Sequence, residues 1–167
     1  MMRKNLERVI TAILNKSPAL SYTQGYNDFI SVFLLTLDTN LAFHCGSIAS
    51  VHMLRDFLNA KFDLGVLPAL DFAAKLIELL DKELFELVEK MGGQPVFALS
   101  WIISWFAHDI SNFDDVQLIF DACLATHPLF CVYLSVAQVL LFKERLVACD
   151  MPEMAFYMVF KEVKEEQ

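Results

Sequence analysis

The chain reads as all-α, and three observations predict it. Apolar residues recur at helical spacing almost from end to end, no Asn-Gly or Asp-Gly hairpin signal separates alternating runs, and Pro, Gly and Asx residues fall where helices need starts and stops. Leu6, Val9, Ile10, Ile13 and Leu14 form one buried face of a first helix, with Arg3, Lys4, Glu7 and Arg8 outside it, and Ser17 with Pro18 stops it. A second helix is expected from about Gln24 to Leu37, a third from about Ser47 to Leu58, and a fourth from about Pro68 to Leu80. In the fourth, Leu70, Ala73, Ala74, Ile77 and Leu80 line up. Asp81 suits the N-cap of a fifth, whose stripe is Leu84, Leu87, Val88 and Met91 and whose end is the left-handed device offered by Gly92 and Gly93. Pro95 opens a sixth, apolar on all sides and therefore central. Asn112 with Asp115 starts a seventh that turns Val116, Ile119, Phe120, Cys123 and Leu124 inward. Pro128 begins an eighth reaching about Val147, and Asp150 with Glu153 forms a capping box for a last amphipathic helix ending in KEVKEEQ.

Composition narrows the function. At 167 residues the chain suits a single domain, and 13 Lys+Arg against 21 Asp+Glu leave a net charge of −8, which disfavours a phosphate-backbone ligand and excludes nucleic acid as the expected partner. A mean hydropathy of +0.46 raises the question of membrane spans. Residues 91–107 are uncharged but fall short of the ~20 residues a span needs, and they include Gly92, Gly93, Gln94 and Pro95. His127 and Pro128 divide residues 122–142, while Asp38, Asn40 and His44 interrupt the run from Phe29 to Leu54. Buried core helices are expected, with no membrane span. Arg3, Lys4 and Arg8 precede an apolar run too short for a signal peptide, and Cys45, Cys123, Cys131 and Cys149 form no C-x-x-C pair, so reduced thiols and a cytoplasmic setting are expected.

Most catalytic chemistry has no residues to carry it. Gly25, Gly46, Gly65, Gly92 and Gly93 make neither a phosphate-binding loop nor a dinucleotide fingerprint. His44, His52, His108 and His127 lack metal-ligand spacing, so no metal site is expected. There is no G-x-S-x-G, and Cys131 lies in an apolar run where a low thiol pKa is hard to produce. Asp114 with Asp115, and Glu165 with Glu166, are neighbours that point about 100° apart on a helix and read as solvated faces or caps.

One segment stands apart: residues 20–30, LSYTQGYNDFI. Gln24, Gly25, Asn27 and Asp28 are crowded between Tyr22, Tyr26 and Phe29 at a helix start, where free backbone N–H groups and an amide side chain would face the same way. Two readings stay open on the residues alone. In one, Thr23 caps the helix and Gln24 is an exposed first-turn residue; in the other, the segment is an anion-facing or phosphate-facing edge.

YTQG followed by an apolar helix resembles the glutamine-finger motif of the TBC domain, the helical domain of Rab GTPase-activating proteins. The likeness extends to LERVITAIL and NKSPAL before the motif and to FALSWIISWFAHDISNFDDVQLIFDACLATHP after it, including Y-x-Q-G-Y-N-D, F-A-L-S-W and a W-F-x-H element. It implies a compact, multi-helix all-α domain of about nine helices over residues 1–167, N-terminally truncated relative to the family. It further implies a protein that stimulates GTP hydrolysis by a Rab-family small GTPase and is not an enzyme on its own. By the resemblance, Gln24 orients the hydrolytic water in trans, Tyr22 and Gly25 shape the loop, and Tyr26, Asn27 and Asp28 join them at the partner interface. Trp101 and Trp105 are expected in the core. No cofactor of its own is implied, since GTP and Mg2+ belong to the Rab, and the implied location is cytoplasmic, at early secretory ER-Golgi membranes reached peripherally through the Rab.

The family's second catalytic motif, I-x-x-D-x-x-R, whose arginine neutralises phosphate charge, occurs nowhere in the 167 residues. Arg3 and Arg8 lack its surroundings and read as exposed helix cations. A non-catalytic Rab-binding or scaffold domain is therefore the alternative expectation.

Overall fold

The computed structural model describes residues 2–148. They form nine α-helices and no strand: α1 Met2–Lys16, α2 Tyr26–Thr36, α3 Thr39–His52, α4 Val66–Leu80, α5 Lys82–Lys90, α6 Leu99–Ser104, α7 Phe113–Ala125, α8 Phe130–Leu141 and α9 Lys143–Val147. The helix expected after Asp150 lies outside the described residues, as does Cys149. α1 packs on α2 and α3, α4 on α5 and α8, and α6 joins the halves by packing on both α2 and α8. Among the described residues, no helix is long and apolar enough to cross a membrane.

The amphipathic pattern places α1 as expected, with Val9, Ile10 and Ile13 buried and Arg3, Lys4, Glu7 and Arg8 exposed. Gly46 lets three helices meet: a Cβ there would come within 3.0 Å of Ile30 Cδ1 and 3.3 Å of Ile13 Cδ1. Asp81 caps α5 by accepting the N–H groups of Glu83 and Leu84, each at 3.1 Å. Gly92, at φ 102°, closes α5 with the Gly93 N–H bonded to the Val88 carbonyl at 3.0 Å, the left-handed stop foreseen for this pair. Asn112 caps α7 by accepting the Asp114 N–H.

Elsewhere the boundaries move. The third helix begins eight residues earlier than Ser47, because Asp38, taken as an interruption, is its N-cap and accepts from Asn40 and Leu41 at 2.9 and 3.1 Å. It also stops at His52. Leu54, Phe57 and Leu58 are buried from turns instead, and the Leu58 carbonyl accepts the Ser21 N–H at 2.6 Å, tying this turn to the segment before α2. Gly65 is obligatory in its own way, since a Cβ there would land on the Asp56 carbonyl. Pro95 opens a 3-10 turn, Val96–Ala98, before a short α6. The long eighth helix is two, broken at Phe142. No Pro or Gly marks that break; tertiary pairing accompanies it, with Lys143 Nζ 2.6 Å from Asp81 Oδ2 and 3.1 Å from Glu83 Oε2. Leu80 and Leu124, expected inward, are 58% and 46% exposed, each in the last turn of its helix.

An aromatic cluster holds the centre. The Phe29 ring lies 4.9 Å from Trp105, 5.3 Å from Phe33 and 5.4 Å from Phe120, so α2, the chain after α6 and α7 share one contact. Trp101 and Trp105 are both buried, as the sequence leads one to expect, although Trp105 falls just past the end of α6 and not on the same helical face.

Candidate functional site

The segment 20–30 becomes a tight loop entering α2. Thr23 contributes through its carbonyl, which accepts the Tyr26 N–H at 3.1 Å, and its side chain is buried. The residue at the N-cap is Gly25, in the left-handed conformation at φ 99°. That backbone needs glycine twice over: an L side chain is strained there, and a Cβ would press to 3.3 Å from Ile103 Cγ2 on α6. The second helix therefore starts at Tyr26, two residues later than expected, and Gln24 is left outside it on the loop.

Gln24 is exposed at the rim of a groove of about 380 Å³. One wall is Thr23, Gln24, Gly25, Asn27 and Asp28; the other is Leu99, Ser100, Ile103 and His108. Tyr22 is also exposed, and its hydroxyl donates to Asn27 Oδ1 at 3.1 Å, bridging the loop before and after Gln24. Asn27 Nδ2 donates in turn to Asp28 Oδ1 at 2.9 Å. Tyr26 lies elsewhere. It is fully buried, stacks near Phe29 and presents no surface to a partner. Its hydroxyl is 2.7 Å from Ser50 Oγ; since Ser50 spends its single proton on the Gly46 carbonyl, Tyr26 is the donor. Burial pushes the Tyr26 phenol up to about 12.

His108 is the site residue that reading the sequence missed. Its Nδ1 lies 2.9 Å from Asp28 Oδ2 across 80 residues of chain. The W-F-x-H element held the signal, but a lone histidine in a helical pattern gave no hint of which carboxylate it meets. The turn that delivers it is costly. Trp105 and Phe106 follow α6 in left-handed backbone at φ 50° and 65°, a conformation that costs a non-glycine residue about 1–3 kcal/mol. Their rings offset that cost: Trp105 enters the Phe29 and Phe120 cluster, and Phe106 stacks on Trp101 at 5.5 Å and 15°.

Other chemistry finds no support among the described residues. No group of His, Cys, Asp or Glu there is placed to hold a metal ion. Burial holds the Cys131 thiol well above its ordinary pKa, and its Sγ is 3.2 Å from the Trp101 carbonyl, the setting of an inert buried cysteine. No arginine is among the residues that line the groove.

Comparison with known proteins gives this geometry a context. Residues 1–147 match the Rab-GTPase-TBC domain family. The chain is 34% identical over 149 residues to TBC1 domain family member 20 of Bos taurus and, at the same identity and length, to that of Homo sapiens, covering 89% of this chain and 37% of each relative. It is 36% identical over 139 residues to the GTPase-activating protein gyp10 of Schizosaccharomyces pombe, covering 83% of this chain and again 37% of the relative. The chain thus spans little more than a third of the length of the curated relatives it matches. With a match over most of its residues and an all-helical architecture to go with it, the chain belongs to the Rab-GTPase-TBC domain family.

Proposed function

We propose that this chain is the glutamine-bearing part of a Rab GTPase-activating domain, with Gln24 orienting the hydrolytic water in the active site of a bound Rab. The observation that carries the reading is the presentation of Gln24: an exposed amide on a loop shaped by a left-handed Gly25, beside an open groove and immediately before α2. Small GTPases hydrolyse GTP slowly because the attacking water and the charge on the γ-phosphate are poorly stabilised. An amide has the chemistry to help, since its carbonyl accepts from the water while its NH2 donates toward phosphate oxygen. Tyr22, Gly25, Asn27 and Asp28 surround it as the partner-facing surface. GTP and Mg2+ arrive with the Rab, and the cytoplasmic face of ER-Golgi membranes is the place where such a partner would be met.

A second reading has its own observation. None of the 167 residues forms I-x-x-D-x-x-R, and none of the groove's lining residues is an arginine. Without an arginine finger the expected loss is roughly 10³ to 10⁵ in rate, leaving a domain that binds a Rab without stimulating it.

Single-turnover GTP hydrolysis across a Rab panel, with and without the chain, separates the two. Stimulation that falls at least about 10²-fold in Gln24→Ala supports the catalytic reading. Tighter binding to a Rab carrying a transition-state mimic than to its GDP form, without stimulation, supports the binding one. Equal affinity for both nucleotide states and no stimulation would remove the Rab reading.

A further inference from the structure

The polar contacts around the Gln24 loop form one connected line. Tyr22 donates to Asn27 at 3.1 Å, Asn27 donates to Asp28 at 2.9 Å, and His108 Nδ1 meets the other Asp28 oxygen at 2.9 Å. Directions within it are set by chemistry. An ionised carboxylate only accepts, so the Asp28 oxygens take protons from Asn27 Nδ2 and His108 Nδ1. With Asn27 Nδ2 committed to Asp28, its Oδ1 faces the Tyr22 hydroxyl, and the reversed amide would set oxygen against carboxylate. Every donor thus points toward Asp28, in the first turn of α2, where a negative charge also suits the helix N-terminus.

We propose that His108 is a positioning residue for Gln24: acting through Asp28 and Asn27 on Tyr22, it holds the Tyr22–Gly25 loop in the shape that presents the glutamine. Tyr22 precedes Gln24 and Asn27 follows it, so the line clasps the loop from both ends. His108 is the member that comes from outside. It fastens the clasp to the α6 side of the groove, and the Ser104 hydroxyl, accepting the His108 N–H at 3.3 Å, fastens His108 in turn. The consequence for hydrolysis rests on the proposed role of Gln24; the ordering of the loop does not.

The test uses the 167-residue chain in two arms. In the first, 15N relaxation reads the backbone at Gln24 and Gly25 in the wild type, His108→Ala, His108→Asn and Tyr22→Phe. His108→Asn keeps an N–H at the place of Nδ1. The expected result is an order parameter falling from about 0.85 to below about 0.6 in His108→Ala and Tyr22→Phe, with His108→Asn restored and the thermal midpoint little changed. Unchanged order in Tyr22→Phe, or in a folded His108→Ala, overturns the proposal. Should His108→Ala fail to fold, His108→Phe, which keeps a ring but removes the N–H that meets Asp28, takes its place and is read in the same way.

The second arm reads Rab hydrolysis. The saturating rate should fall roughly tenfold to a hundredfold in His108→Ala while the half-saturating concentration moves far less, and His108→Asn should recover it. Loop loosening in a chain that neither binds nor stimulates any Rab supports the positioning role and counts against the proposed function instead. Stimulation with no loosening does the reverse.

Discussion

Gly25 illustrates how one residue can be required for two separate reasons. Its φ of 99° is open to glycine at little cost, and the space a Cβ would need is already taken to within 3.3 Å by Ile103. Gly25→Ala is therefore expected to lose about 1–2 kcal/mol, read as a lower urea midpoint at unchanged slope; an unaltered midpoint would mean that the loop has another low-energy shape. Tyr26 makes a different kind of prediction. Its phenol is raised from 10.0 to about 12 by burial, so the folded state keeps the proton where the unfolded chain has lost it. The stabilising contribution is whole below pH 10 and disappears as pH climbs toward 12, a change of about 3 kcal/mol at most. Urea titrations from pH 8 to pH 11 should show a steeper loss for wild type than for Tyr26→Phe, and parallel curves would contradict it. These two neighbours also mark what a sequence shows and what it hides. The loop at Gln24 and Gly25 could be singled out because its motif is local. Tyr26, four residues from the start of the same motif, was expected at the interface; only the fold places it against Ser50.

At the scale of elements, legibility follows whether the signal lies within the element itself. The stop at Gly92 and the caps at Asp81 and Asn112 are one-residue devices, and each was readable. The break at Phe142 was not: neither Pro nor Gly marks it, and the contact that accompanies it, Lys143 with Asp81, spans 62 positions. Asp81 consequently serves two helices, capping α5 and anchoring the start of α9. The ion pair with Lys143, together with the α5 N–H groups of Leu84 and Glu83, holds its carboxyl below the ordinary value of 3.8. A depressed carboxyl stabilises above its ordinary pKa, and that stability is lost as pH falls through the lowered value. Asp81→Asn keeps a capping oxygen but gives up the charge, so its thermal midpoint should fall less steeply than that of wild type between pH 5 and pH 2.5. Asp81→Ala removes the cap as well and should cost about 1 kcal/mol more than Asp81→Asn at pH 7. Equal acid slopes for wild type and Asp81→Asn would show that the pair with Lys143 contributes nothing to holding α9.

For the whole molecule, the question is whether the groove and the core can come apart. Phe29 follows Asp28 directly, so the residue that receives His108 at the surface is bonded to the residue that gathers Trp105, Phe33 and Phe120 inside. His108 lies three residues beyond Trp105, which means both ends of the Asp28–His108 contact are mounted on the same aromatic cluster. Such an arrangement makes local opening of the groove costly, and it explains how two consecutive left-handed residues at Trp105 and Phe106 are retained. Phe29→Ala should therefore remove about 3–5 kcal/mol, a large part of the 5–15 kcal/mol typical of a whole domain. Trp101 and Trp105 are both buried, so their fluorescence reports the core, while far-ultraviolet circular dichroism reports all the helices. In urea the two signals should move together in the wild type and shift together in Phe29→Ala, because α6 packs on both α2 and α8 and links the halves. A fluorescence transition that precedes the loss of helix would instead show that α4, α5 and α8 form a unit of their own, and that the groove opens without unfolding the rest.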